Sequence, residues 1–175
     1  SDENVDMQRQ GMDFAVRDGR AGHQALTSEF LINNRRVIVA APSYIAKRGA
    51  PAHPHELVQH DCLTLRVGPH INRFWRFRVG GASLDASITP ARTANNARLI
   101  ADWCRQGHGL AIKSAINVAD DLASGALVEV LQGFAPPEDA FYLVYPSDRA
   151  FSAPVADLVA RISTELQEAD RRIAA

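Results

Sequence analysis

Hydrophobic and polar positions along the chain follow two alternating patterns. Short apolar runs bounded by glycine, proline or asparagine are typical of buried strands, and apolar stripes at helical spacing are typical of helices that pack on a sheet. The runs predict strands at 14–16, 26–32, 37–41, 62–66, 75–79, 84–88, 109–112, 127–131 and 141–145. The stripes predict helices at 2–10, 43–48, 94–106, 115–124 and 155–173. Because the two kinds of element alternate, the pattern predicts an α/β architecture.

Turn-forming residues sharpen several of these boundaries. Gly80 and Gly81 lie between two predicted strands and indicate a tight β-hairpin. Asn33 and Asn34 predict a turn after the strand 26–32. The segment 50–60 carries two prolines, whose fixed backbone angles and missing donors argue against a central strand. We therefore expect a surface loop there.

The composition is that of a folded protein. Of 175 residues, 46% are hydrophobic and 22% are charged, which is close to the average for globular domains. The 19 Lys and Arg residues against 20 Asp and Glu residues leave a net charge of -1, so the segment has no cation excess for binding a run of phosphates. No apolar run approaches the roughly 20 residues that cross a bilayer, and the polar start is unlike a signal peptide. These features predict a water-soluble, cytoplasmic protein that does not bind membranes.

Candidate catalytic chemistry is sparse. The sequence lacks the serine-centred elbow, the phosphate-binding loop and the zinc-protease motif, so we predict no enzymatic activity and no cofactor. Cys62 and Cys104 lie 42 positions apart without ligand-like spacing. We interpret them as buried, inert thiols rather than as a disulfide, a zinc site or a redox sensor.

The densest polar cluster lies in the loop that precedes the fourth predicted strand. Its residue types could ligate a transition metal if the loop folded onto itself. An ordinary surface loop explains the same residues, and we favour that interpretation and predict no metal site. The residues are His53, His55, His60, Asp61 and Cys62.

A series of short motifs runs through the chain in a fixed order. They are DFAVR at 13–17 followed by Gly19, VAAPSY at 39–44, GAP at 49–51, PHEL at 54–57, HDCL at 60–63, WRF at 75–77, GHGL at 107–110, GALVEVL at 125–131 and VYP at 144–146. In this order the series resembles the C-terminal effector-binding domain of LysR-type bacterial transcription regulators. The resemblance covers residues 1–166.

The resemblance implies a two-lobed, periplasmic-binding-protein-like (type II) α/β fold. Lobe I would comprise residues 1–41 and 140–175, and lobe II would comprise residues 42–139. In the family, lobe I begins with further strands that would precede residue 1, so we expect lobe I to be truncated at its N-terminus. The winged helix-turn-helix that binds DNA in the family is absent from this sequence.

Helix N-termini supply two candidate parts of an effector site, because their free amides and positive dipole can receive a carboxylate. Ser1 matches a family loop at the start of the helix 2–10, and its alternative role is that of a simple N-cap. Thr93, Asn95 and Asn96 precede or begin the helix 94–106, and capping is again the alternative.

Two arginines lie in a stretch of lobe II that matches a cleft-lining family loop. Arg66 and Arg73 could each pair bidentately with an anion, although an exposed arginine is more often only solvated. We predict that both contact the effector.

A strand of lobe I and the second crossing between the lobes, near Ala140, supply the last two candidates. Arg17 closes a predicted strand on the cleft side in family terms, and its alternative is a surface pair with Asp18 or Asp148. Phe141 could floor the cleft, and its alternative is an ordinary core position.

The function that the resemblance implies is metabolite sensing for transcription control. A small effector, such as an organic or aromatic acid, would bind between the lobes and shift their relative angle. The regulator would be a homo-oligomer that contacts DNA only through its missing N-terminal domain. The alternatives are an extracytoplasmic solute-binding protein of similar fold and a small enzyme that uses the loop 53–62.

Overall fold

The computed structural model describes residues 12–22, 25–66, 68, 71–148 and 151–174, so the helix predicted at 2–10 lies outside the described residues. The described strands are β1 (Ala15–Asp18), β2 (Leu26–Asn34), β3 (Arg36–Ala40), β4 (Asp61–Leu65), β5 (Phe74–Val79), β6 (Ala82–Ser87), β7 (Thr89–Ala94), β8 (Leu110–Ser114), β9 (Val128–Val130) and β10 (Asp139–Pro146). The helices are α1 (Pro42–Arg48), α2 (Ala97–Arg105), α3 (Ala119–Ser124) and α4 (Ala153–Ala174). Two 3-10 helices span Pro54–Gln59 and Ala115–Val118.

The described residues divide into two compact units. The central unit comprises residues 36–137, and the terminal unit comprises residues 12–35 and 138–174. The sequence had placed the strand 37–41 in lobe I, but β3 pairs with β8 and β9 inside the sheet of the central unit. Its apolar side chains are therefore buried on both faces of that sheet, which accounts for its continuous apolar run.

The central unit is built on a five-stranded mixed sheet of order β7-β4-β8-β3-β9. β4 runs parallel to both β7 and β8, and β8 runs antiparallel to β3. One face packs on α2 through Cys104, whose thiol donates to the carbonyl of Val39 at 3.4 Å. A separate apolar cluster contains Leu57, Phe77 and Leu110, each 0% exposed.

β7 is a strand that the sequence did not predict. It contains Pro90, which has no amide hydrogen for a ladder. The structure accommodates this residue because β7 lies at the edge of the sheet and its register shifts between Cys62 and Leu63 of β4. An irregular edge is where a proline can sit in a strand.

The predicted hairpin is confirmed. β5 and β6 pair antiparallel across Gly80 and Gly81, which have φ of 57° and 86°. Two consecutive positive φ values suit a two-residue turn whose twist matches the flanking strands. The hairpin buries Trp75 and Phe77 and exposes the alternate positions between and beside them.

Two expectations about loops were wrong. The segment 50–60 is not a plain surface loop, because Pro54 and Leu57 of its 3-10 helix are buried. β2 does not turn at residues 33–34, because Asn34 is buried and its side-chain amide donates to the Asp18 carboxylate at 3.0 Å. In both places a tertiary contact outweighs the local turn preference.

The terminal unit contains a three-stranded antiparallel sheet of order β1-β10-β2. Leu143 and Val144 of the middle strand are 0% and 1% exposed, and α4 packs against β2. Among the described helices, α4 included, none combines the length and the apolar character needed to cross a membrane.

Candidate functional site

The carboxyl ends of the parallel strands β4 and β7 meet at one edge of the central sheet. Leu65 pairs with Ala94 there, and the Arg66 amide donates to the Ala94 carbonyl at 2.7 Å. The chain then continues from β7 through Asn95 into α2. Crevices outside the carboxyl ends of parallel strands are where α/β sheets bind ligands, because loops and helix N-termini gather there. We call this edge, with Arg66, Thr93, Asn95 and Asn96, the β4–β7 edge.

A pair of threonine hydroxyls lies just inside the β4–β7 edge. The Oγ1 atoms of Thr64 and Thr93 are 2.9 Å apart, and Thr64 is 2% exposed. Thr64 also donates to the Arg92 carbonyl at 3.5 Å. These contacts fix the orientation of the half-buried Thr93 side chain, which leaves it at the sheet edge as a preorganised polar group.

Asn96 caps α2, so the capping alternative is confirmed for this residue. Its side-chain oxygen accepts hydrogen bonds from the backbone amides of Arg98 at 2.9 Å and Leu99 at 3.3 Å. This satisfies two of the free donors of the first turn. Asn95 is exposed beside it. Contact of either residue with an effector stays a prediction.

Replacing Asn96 by alanine is expected to destabilise the protein by about 1 kcal/mol, because α2 loses its cap. Urea denaturation monitored by circular dichroism measures this change. Asn95→Ala is the matched control, since Asn95 is exposed and is not the α2 N-cap. Equal losses in the two variants would contradict the cap assignment.

Arg73 does not join Arg66 at the β4–β7 edge. Its carbonyl accepts from the amide of Ile88, which directly precedes Thr89, and Thr89 pairs with Asp61 at the start of β4. Since β4 has five residues, the backbone of Arg73 lies near the opposite end of a strand about 13 Å long. Both arginines are exposed. The sequence could not predict that Arg66 and Arg73 lie near opposite ends of β4, because it does not show the path of the chain between them.

Arg17 and Phe141 lie on neighbouring strands of the terminal unit. Arg17 pairs with Tyr142 and Asp18 pairs with Phe141. Because side chains alternate along a strand, Arg17 and Phe141 project to opposite faces of the sheet. Both side chains are half-buried. Their role toward an effector stays a prediction, and Ser1 lies outside the described residues.

Lys113 is a buried charged residue that the sequence reasoning missed. It is 7% exposed, and its Nζ donates to the carbonyl of Ala97 in the first turn of α2 at 2.7 Å. Among the described residues no carboxylate forms an ion pair with it. Burial lowers the pKa of Lys113, and the nearby Arg105 and Arg36 lower this pKa further, whereas Cys104 and Asp102 oppose the shift. The available signal was a lysine directly after the apolar strand predicted at 109–112.

The two cysteines are free and buried, as predicted. The Cys62 thiol donates to the Leu57 carbonyl at 3.7 Å, and the Cys104 thiol donates to the Gly109 carbonyl at 3.5 Å. Burial raises the pKa of both thiols to about 12. Thiolate, the reactive form, is therefore scarce at neutral pH.

Neither thiol is expected to react with a disulfide reagent while the protein is folded at pH 8, because about one in ten thousand would be ionised. Absorbance of the released thiol measures the reaction. Unfolding in urea should expose both thiols, and both should then react with the reagent. A fast native reaction at Cys62 or Cys104 would contradict the inert assignment.

The histidines of the loop 53–62 serve local structure. The Nδ1 atom of His53 accepts from the His55 amide at 3.3 Å, which caps the 3-10 helix, and the two rings lie 4.7 Å apart. In the part of the chain that the structure describes, no three His, Cys, Asp or Glu side chains converge as metal ligands. His60 instead bonds to Tyr44.

Comparison with known proteins identifies the family. The family model described as the LysR substrate binding domain matches residues 1–167. The chain is 32% identical over 154 residues to the HTH-type transcriptional regulator DmlR of Escherichia coli K12, an overlap covering 88% of this chain and 50% of that protein. It is 31% identical over 145 residues to the regulator CrgA of Neisseria meningitidis serogroup C, covering 79% and 46%. The chain thus spans about half the length of the curated relatives it matches.

Solved structures that resemble this chain include a regulatory domain of a LysR-type regulator. The CrgA regulatory domain from Neisseria meningitidis matches with a TM-score of 0.81 and 26% identity, over 95% of this chain and 81% of that one. The effector domain of AmpR from Pseudomonas aeruginosa matches in fold alone, with a TM-score of 0.73 and 20% identity, over 97% and 80%. The relatives are transcription regulators and not solute-binding proteins. The chain therefore belongs to the LysR substrate-binding-domain family and has the periplasmic-binding-protein-like α/β fold of its regulatory domains.

Proposed function

We propose that this chain senses a small organic acid for a LysR-type transcription regulator. The observation that carries the proposal is the family match over residues 1–167, together with the polar groups gathered at the β4–β7 edge. DNA contact and homo-oligomer formation belong to the intact regulator, whose relatives are about twice as long and carry the name HTH-type. Since such a regulator works on DNA, the proposed compartment is the cytoplasm.

The chemistry of the β4–β7 edge supports an anionic effector. The exposed Arg66 guanidinium offers planar paired donors that match a carboxylate. Next to it, the N-terminus of α2 carries a partial positive charge, and Thr93 offers a hydroxyl. The central unit also holds 11 Lys and Arg residues against 7 Asp and Glu residues, a surplus that attracts anions.

The effector would act by shifting a conformational equilibrium. A ligand changes the arrangement of a protein only as far as its affinity differs between the two states. In this proposal the acid binds one arrangement of the regulator more tightly, and that preference reaches the DNA-binding domains. No chemical reaction is part of the proposal, and the relatives are regulators.

Isothermal calorimetry with a library of organic and aromatic acids tests the proposal. Arg66→Ala should raise the dissociation constant of an active acid at least about tenfold, because a charge-assisted pair is lost. Arg73→Ala is the matched control, since this exposed arginine lies near the opposite end of β4. The amide analogue of the acid should bind weakly to the unaltered protein. Absence of binding across the library by correctly folded protein would contradict the proposal.

A further inference from the structure

A buried polar cluster lies at the amino end of β4, away from the β4–β7 edge. Tyr44 of α1 is 3% exposed, and His60, between the 3-10 helix and β4, is 8% exposed. The Tyr44 hydroxyl oxygen lies 3.1 Å from His60 Nδ1 and 2.9 Å from the backbone nitrogen of Asp61. The cluster therefore links α1, the 3-10 helix and the first residue of β4.

The hydrogen-bond directions in this cluster follow from the partners. The Asp61 amide can only donate, so the Tyr44 oxygen accepts from it. The hydroxyl proton of Tyr44 is then available to Nδ1 of His60. We assign His60 to the neutral imidazole with its proton on Nε2, the tautomer in which Nδ1 accepts this proton.

Burial and the positive charge of Arg48 favour the neutral state of His60. Burial lowers the pKa of His60, and Arg48 lowers this pKa further, whereas Glu56 and Asp61 oppose the shift. Arg48 is fixed in place because its Nη2 donates to the Gln59 carbonyl at 2.8 Å. Burial raises the pKa of Tyr44, so its hydroxyl keeps its proton through the neutral range.

Among the described residues, β6 and β7, the strands that contact the 3-10 helix, add no titrating group to Arg48, Glu56 and Asp61, which act on His60. Asp85 of β6 is exposed on the outer face of the hairpin and pairs with Arg76 at 2.7 Å. β7 contacts the 3-10 helix through Thr89, whose hydroxyl donates to the Val58 carbonyl at 2.7 Å. Within the described Tyr44–His60–Asp61 cluster, His60 is the residue type that changes its protonation between pH 5 and 7.5.

Protonation of His60 turns its Nδ1 from an acceptor into a donor. The Tyr44 hydroxyl must then turn to accept from Nδ1, and its own proton loses the acceptor that it had in the cluster. A new positive charge also appears beside Arg48. The hydrogen bond that joins α1 to the end of the 3-10 helix is weakened, whereas β3 and β8 keep their own ladder.

We propose that the Tyr44–His60–Asp61 cluster is an acid-sensitive latch, which frees α1 and the 3-10 helix from the start of β4 when His60 takes up a proton. The sheet of the central unit stays paired during this local opening. The latch is independent of effector binding at the β4–β7 edge.

Hydrogen exchange measured by mass spectrometry tests the latch without any ligand. After correction for the intrinsic exchange rate, protection of residues 42–62 should fall about tenfold from pH 7.5 to pH 5, while β8 stays protected. His60→Gln should remove most of this fall, because the amide oxygen can accept from Tyr44 and does not titrate. His55→Gln is the matched control, since His55 is exposed in the same segment.

Two outcomes of the exchange experiment would overturn the latch. An equal fall in the unaltered protein and in His60→Gln overturns the latch, and so does a fall that His55→Gln abolishes. If His60→Gln does not fold, imidazole titration by NMR in the unaltered protein decides instead. His60 should titrate below the ordinary histidine value of about 6.5, and titration at or above that value would overturn the proposal.

Discussion

Replacing Gly109 by alanine is expected to lower the free energy of unfolding by at least about 3 kcal/mol. Gly109 has a φ of 154°, a conformation that side chains rarely adopt. A Cβ atom there would lie 3.0 Å from the Asp61 carbonyl carbon and would overlap the carbonyl oxygen. Asp61 begins β4 and Leu110 begins β8, so the clash falls where the two parallel strands start side by side. A backbone neighbour in the middle of a sheet cannot rotate away.

Thermal unfolding followed by circular dichroism measures this loss. A cost of about 3 kcal/mol corresponds to a fall in Tm of about 10 °C for a domain of this size. Gly133→Ala is the matched control, because its added Cβ meets nothing within 4 Å and its φ is not positive. The control should stay near the unaltered Tm. A Gly109→Ala protein with an unchanged Tm would refute the close approach of β4 and the 107–109 turn.

Local chemistry was enough to predict much of the fold. The hairpin follows from Gly80 and Gly81, because glycine adopts the positive φ angles that a two-residue turn requires. Long apolar runs marked the buried strands β3 and β10. These elements agree with the sequence because the pattern of burial and the local preference point the same way.

Long-range contacts explain what the sequence could not predict. β7 was missed because Pro90 argues against a strand, and only its edge position and the irregular register next to β4 permit it. The segment 50–60 was expected at the surface because of its prolines, yet Leu57 is 0% exposed. Such burial depends on which distant strands cover the segment, and no local preference encodes that.

The candidate site likewise contains features that local preference predicts and features that depend on long-range contacts. Asn96 was assigned to the start of α2 from its residue type, and its two hydrogen bonds confirm the cap. Arg66 and Arg73 were grouped because they are close in sequence, although their backbones lie near opposite ends of β4. Lys113 was not predicted to be buried, since a single lysine in a strand does not form a recognisable motif. Its burial and its contact with α2 exist only in the folded chain.

Replacing Lys113 by methionine is expected to raise the free energy of unfolding by about 1–2 kcal/mol near pH 7. The ammonium is desolvated next to the positive end of α2, and its hydrogen bond to Ala97 only partly offsets that cost. Methionine has similar length and loses no solvation on burial. Because its carbonyl is part of a helix, Ala97 keeps a backbone partner after the substitution.

The pH dependence of stability distinguishes the removal of the buried charge of Lys113 from an improvement in packing. The folded-state pKa of Lys113 lies below its ordinary 10.5, so the unfolded chain binds more protons between the two values. Stability of the unaltered protein should therefore rise with pH in that window, and the advantage of Lys113→Met should shrink as pH approaches 10.5. Urea titrations from pH 7 to pH 10 measure both trends. Lys47→Met, at an exposed position, should show neither, and a Lys113→Met protein that is less stable at every pH would mean that the buried ammonium stabilises the fold.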